Sequence, residues 1–156
     1  MTKRLYLLFL CLGLSVTVLV PARQALATLG EPAASVESDR KALSAGPRVT
    51  TARTAYTVQE VVSDANTVRE YISPAGIVFA IAWNGLTHPD LAPLLGSYAG
   101  DYQGALRQTP HRPGRRHMQI KANRVVVEKW GHMRNLQGRA YAPALIPSGV
   151  SVDEIK

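Results

Sequence analysis

A single cysteine, Cys11, occurs in 156 residues, and it stands in an apolar run near the start of the chain. No thiol follows it. Disulfide bridges and thiolate metal sites are therefore excluded from residue 12 onward, and packing and hydrogen bonds must hold that part together. Long apolar runs are equally scarce: only Leu5 to Val20 approaches the roughly 17 to 25 residues that cross a bilayer. Acidic residues are missing from the whole interval between Asp101 and Glu128. The usual signatures of catalysis are missing as well. There is no His-Glu-x-x-His, no histidine pair at helical spacing, and no phosphate-cradling glycine turn followed by Lys-Ser or Lys-Thr. Ser97 sits in Leu95-Gly96-Ser97-Tyr98-Ala99 and fails the Gly-x-Ser-x-Gly elbow at both glycine positions. No cofactor is expected, and no repeat of solenoid period is present.

What is present begins with an export leader. Lys3 and Arg4 give a positive start, Leu5 to Val20 an apolar segment, and Ala25-Leu26-Ala27 a small-residue exit. Residues 1–27 are expected to be a signal peptide cut before Thr28, leaving residues 28–156 as one domain in the periplasm or the extracellular medium. Pro21 and the exit site argue against a permanent membrane anchor. Leu10, where a lipobox needs a small residue, argues against lipid attachment at Cys11. The leader holds three of the 18 basic residues and none of the 11 acidic ones, so the remainder carries 15 against 11, a net +4.

Turn and cap chemistry divide the rest. Glu31 to Gly46 reads as a short helix, with Pro32 in its first turn, Ala33, Val36 and Leu43 on one face, and Gly46-Pro47 as a stop. Arg48 to Ala55 selects neither strand nor loop. Tyr56 to Val62 and Thr67 to Ile72 form a hairpin around Asp64-Ala65-Asn66, and Ser73-Pro74-Ala75-Gly76 makes a second turn. In the apolar strand that follows, Ile77, Phe79, Ile81 and Trp83 are expected on one face, and the small Val78, Ala80 and Ala82 on the other. Thr87-His88-Pro89-Asp90 opens the main helix, whose stripe is Leu91, Leu94, Leu95, Tyr98 and Tyr102. Gly96, Gly100 and Gly104 would form a smooth ridge beside it. Met118 to Ala122, Val125 to Trp130 and Met133 to Ala142 read as three more strands, and Ser151 caps a last turn. The fold class expected is α+β: an antiparallel sheet of five to six strands, one main helix packed on it, and a short N-terminal helix.

Several linked segments resemble a known family. They are Tyr56-Thr57-Val58-Gln59-Glu60, Val68 to Gly76 leading into Val78-Phe79-Ala80, Pro89-Asp90-Leu91 with Leu94 to Tyr98, Gly131-His132-Met133-Arg134, Gly138 to Tyr141, and Pro147-Ser148-Gly149-Val150. In that order they are similar to the domain of unknown function 2844 family of small exported bacterial proteins. The resemblance implies export, one domain and bacterial origin. It implies nothing about mechanism.

Three groups of residues are candidates for chemistry. Between Asp101 and Glu128, six basic side chains form a cationic stretch; Arg112, Arg115 and Arg116 are its anion-binding candidates, and a solvated loop is the plainer explanation. Nucleic acid is not an expected partner, because no aromatic residue is interleaved for base stacking. His88, Asp90 and His132 are the alternative catalytic candidates, against roles as cap and turn residues. Arg69, Glu70, Arg134, Arg139 and Tyr141 lie in or beside strands, where cross-strand pairing competes with a ligand groove. On an open sheet face, Tyr71, Trp83, Trp130 and Tyr141 would be the aromatic anchors. The leading expectation is a non-catalytic binding or accessory module of the cell envelope, whose partner is an anionic envelope component or another exported protein. The alternative is a small envelope hydrolase with a His/Asp site.

Overall fold

The computed structural model describes residues 28–33, 48–110 and 116–156. Within them, seven strands make one antiparallel sheet: β1 (Arg48–Ala52), β2 (Thr57–Val62), β3 (Asn66–Ile72), β4 (Val78–Gly85), β5 (His117–Lys121), β6 (Val126–His132) and β7 (Asn135–Tyr141). The first four run as a meander because the turn residues between them reverse the chain. At Gly76 the N–H donates to the Ser73 carbonyl at 2.8 Å, and φ is 78°, a conformation glycine adopts without strain. After β4 the chain crosses one face through α1 (Leu91–Leu95), a 3₁₀ turn (Gly96–Tyr98) and α2 (Ala99–Gln108). It thereby reaches the far edge, and the hairpins β5-β6 and β6-β7 lead back to the middle. The resulting order is β1-β2-β3-β4-β7-β6-β5.

Seven strands correct the expected five to six. The addition is β1, an edge strand whose Val49 to Ala52 are exposed, so no alternation of apolar and polar residues marks it. The short N-terminal helix is not seen at its expected start. Pro32 makes a β-bridge with Ile77, and the Ala33 N–H donates to the Gly76 carbonyl at 2.8 Å. The rest of that expected helix, like the expected signal peptide, lies outside the described residues.

A bulge also changes the expected faces of β4. Tyr71 pairs with Ala80 but Ile72 pairs with Val78, which leaves Phe79 as the extra residue. One inserted residue reverses the two-residue alternation. Val78 therefore joins Ile81 and Trp83 beneath the helices, in a core with Leu91, Leu94, Leu95, Tyr102, Ile120 and Val127. Phe79 joins Ala80 and Ala82 on the opposite face, in a second core with Tyr56, Tyr71, Tyr141 and Ile155. The small alanines leave room for the C-terminal segment, whose Ile155 is fully buried there. A capping box closes the 3₁₀ turn Val152–Glu154 in that segment: Ser151 Oγ accepts from Asp153 N–H, and Ser151 N–H donates to Glu154 Oε1 at 2.9 Å.

Neither face of the central strands is open. Trp83 lies under the helices, and Tyr71 and Tyr141 lie on the side of the C-terminal segment, so three of the four expected surface anchors are buried. The helix stripe is borne out, but the helix bends at Gly96. There φ is 50°, and an added Cβ would sit 1.9 Å from Thr28 Cγ2. The expected glycine ridge is not used among the described residues: none of them lies within 4 Å of a Cβ at Gly100 or Gly104. Among the described residues, no helix is long and apolar enough to cross a membrane.

Candidate functional site

His88 lies on the connection between β4 and α1, half-buried. Its Nδ1 accepts a hydrogen bond from Trp83 Nε1 at 3.0 Å, and the two rings meet edge-on, 6.1 Å apart at 87°. Trp83 is 1% exposed, so its N–H has no water to turn to. An imidazole nitrogen that accepts a hydrogen bond carries no proton; the neutral ring therefore holds its hydrogen on Nε2. Burial lowers the His88 pKa, and the charge of Lys129 lowers it further. Among the described residues, Nε2 has no hydrogen-bond partner.

The same histidine lines a cleft of about 540 Å³ between the end of α2 and the strands β5 to β7. Its size falls within the range of small-molecule sites, about 300 to 1,000 Å³. Leu106, Met118 and Leu136 form apolar walls, and Arg116 and Lys129 supply two cations. Among the described residues, no acidic side chain lines the cleft. Strand phase puts Lys129 here: Val127 is buried under the helices, and the residue two further on shares its face. The Lys129 Nζ sits 5.7 Å from the centre of the Tyr102 ring, a cation–π contact. Thr109 also lines the cleft, but its hydroxyl donates to the Ala105 carbonyl at 2.8 Å and is occupied by the helix end.

The opposite face binds the protein's own chain. Arg69 Nε donates to Glu60 Oε2 at 2.7 Å, and Arg139 Nε donates to Glu128 Oε2 at 2.6 Å; each is a directly opposed cross-strand pair. Arg139 Nη1 also donates to the carbonyls of Val152 and Ile155, at 2.6 and 3.4 Å. Arg69 Nη1 reaches Asn84 Oδ1 at 3.0 Å and the backbone oxygen of Lys156 at 3.4 Å. The Tyr71 hydroxyl donates to that oxygen at 2.8 Å and accepts from the Lys156 N–H at 2.9 Å. Burial raises the pKa of Tyr71, so this hydroxyl keeps its proton. At Glu128 burial opposes ionisation, but the hydrogen bonds from Arg139 and Gln119 and nearby positive charge outweigh it, and the pKa is lowered. Pairing is thus the role of Arg69 and Arg139. Glu70 instead faces the helix side, 3% exposed, and Arg134 lies in the β6-β7 turn at φ 64°.

Of the three anion-binding candidates, Arg116 is exposed and lines the cleft, whereas Arg112 and Arg115 lie outside the described residues. His88 lines the cleft, but Asp90 and His132 do not. The Asp90 carboxylate caps α1, accepting from the Ala92 N–H at 3.0 Å, and His132 is exposed at the end of β6. Among the described residues, no three His, Cys, Asp or Glu side chains group to hold a metal ion. Sequence reasoning missed Lys129 and the apolar walls. The alternation along β6 was a usable signal for the lysine, once Val127 is placed inside.

Comparison with known proteins adds one match. Residues 25–155 match the profile of a family described as "Protein of unknown function (DUF2844)". No curated protein and no solved structure matches the chain.

Proposed function

We propose that this chain, which belongs to the DUF2844 protein family, is an exported binding module that holds a ligand with an anionic head and an apolar body. The carrying observation is the composition of the cleft: apolar walls from Leu106, Met118 and Leu136, two cations from Arg116 and Lys129, and, among the described residues, no carboxylate to oppose an anion. In such a site the charges fix the head while burial of the chain supplies most of the affinity. Binding is preferred over the envelope hydrolase because Asp90 and His132 do not line the cleft, the Asp90 carboxylate caps α1, and the Thr109 hydroxyl is engaged by the backbone. Export rests on Lys3 to Ala27; the test is N-terminal sequencing of the protein recovered from the periplasm or medium, with Thr28 expected as its first residue.

The test of the binding reading uses decanoate and decanol as probes. Tryptophan emission reports occupancy, since Trp130 lines the cleft and Trp83 is hydrogen-bonded to a residue that does. Decanoate is expected to shift the tryptophan emission saturably, more tightly than decanol. Arg116→Gln and Lys129→Gln should each weaken decanoate about tenfold, the effect of losing one charge-assisted hydrogen bond. Equal binding of acid and alcohol, or unchanged binding in both variants, would remove the cleft as an anion site.

A further inference from the structure

We propose that His88 makes this cleft selective for a phosphate monoester over a carboxylate carried on the same apolar chain. The inference rests on the anion-binding reading of the cleft and adds the chemistry of the head group. Trp83 occupies Nδ1, so the nitrogen left for a ligand is Nε2, and it is a donor. Nothing else among the described residues takes that donor. The cleft therefore offers three kinds of donor: the Arg116 guanidinium, the Lys129 ammonium and the neutral His88 N–H. A carboxylate has two oxygens, which the Arg116 guanidinium and the Lys129 ammonium satisfy between them. A phosphate monoester has three non-bridging oxygens and a second negative charge, and so uses all three donors.

The surroundings favour this role. Lys129 comes from β6, Arg116 from the approach to β5, and Tyr102 from α2, where its ring lies beneath the lysine. Asp90, the acid nearest in sequence on the same connection, is spent as the cap of α1. Among the described residues, no carboxylate lines the cleft to compete for the His88 proton. Trp83 is a positioning residue: 1% exposed and fixed in the core, it sets both the tautomer and the direction of the imidazole.

The test is calorimetric titration of the purified protein with decyl phosphate and with decanoate. Decyl phosphate is expected to bind at least about tenfold more tightly, one further charge-assisted hydrogen bond being worth about that ratio. His88→Ala should reduce the ratio to about one, and His88→Gln, which retains an N–H donor, should keep part of it. Far-ultraviolet circular dichroism of each variant checks folding, and the wild-type ratio needs no variant at all. Equal affinities in the wild type, or a ratio unchanged in a folded His88→Ala protein, would overturn the proposal and leave anion binding standing. Failure of both anions to bind would overturn the anion-binding reading itself, and this proposal with it.

Discussion

Arg69 and Arg139 stand on either side of Ala82, each one strand away, and each reaches past its own glutamate to the backbone of the C-terminal segment. The methyl group between them leaves space for that segment to settle onto the sheet. The two arms differ in burial. Side-chain exposure is 16% and 8% for Arg139 and Glu128, against 30% and 31% for Arg69 and Glu60. Removing one partner of a buried pair strands the other charge, whereas water compensates a more exposed pair. Arg139→Ala should therefore cost about 3 kcal/mol of unfolding free energy, and Arg69→Ala under about 1 kcal/mol. Urea denaturation checks this; equal losses would show that burial does not distinguish the arms.

The Glu128 carboxylate predicts a pH dependence with a definite sign. Its folded pKa is lowered, because hydrogen bonds from Arg139 and Gln119 outweigh the cost of burial. A carboxylate with a depressed folded pKa stabilises the fold above its unfolded value, about 4.3 for glutamate, and loses that contribution as pH falls through the folded value. Wild type should exceed Glu128→Gln in Tm at pH 7. That gap should close as the pH is lowered from about 5 toward 3. A gap that is constant over this range would contradict the assignment.

Two glycines should respond oppositely to alanine. At Gly138 an added Cβ would meet Trp83 Cζ2 at 2.3 Å and the Glu128 carbonyl oxygen at 2.6 Å, and the backbone there is held in β6-β7 pairing. Overpacking of this kind costs about 1 to 3 kcal/mol, and tryptophan emission should change with it. At Gly104, in α2, no described residue lies within 4 Å of such a Cβ. Gly104→Ala should therefore stabilise by up to about 1 kcal/mol through helix propensity. Thermal melts of the two variants decide the matter.

The parts of this fold written in local chemistry were legible in the sequence. The β2-β3 hairpin follows from turn residues at its tip, and the C-terminal turn from Ser151 with Glu154 three residues on. The parts set by distant pairing were not. β1 is a strand because β2 pairs with it, and its Thr-rich sequence carries no alternation of its own. The phase reversal at Phe79 depends on the register between β3 and β4, which no window of β4 contains. At the site, Arg116 was legible within its cationic stretch and His88 as a candidate grouped with Asp90 and His132, but the meeting of His88 and Arg116 with Lys129 needs the strand order. Lys129 lies 41 residues beyond His88 and joins it only because β7 and β6 fold back beside β4.

That juxtaposition makes a last prediction, independent of any ligand. His88 is neutral over a wider pH range than a free histidine because burial disfavours its charged form and the ammonium of Lys129 repels it. Lys129→Gln removes the second effect and retains the first. The His88 pKa should rise in that variant, toward but not up to the ordinary value of about 6.5. Replacing Trp83 by Phe acts on a different term: it frees Nδ1 from its buried donor, so protonation no longer sacrifices a hydrogen bond, and the pKa should rise there too. Histidine ring-proton resonances followed by NMR from pH 4 to pH 8, with His88→Gln to assign the signal, measure both shifts. A His88 pKa unmoved by Lys129→Gln would mean that the two side chains do not share the cleft in solution.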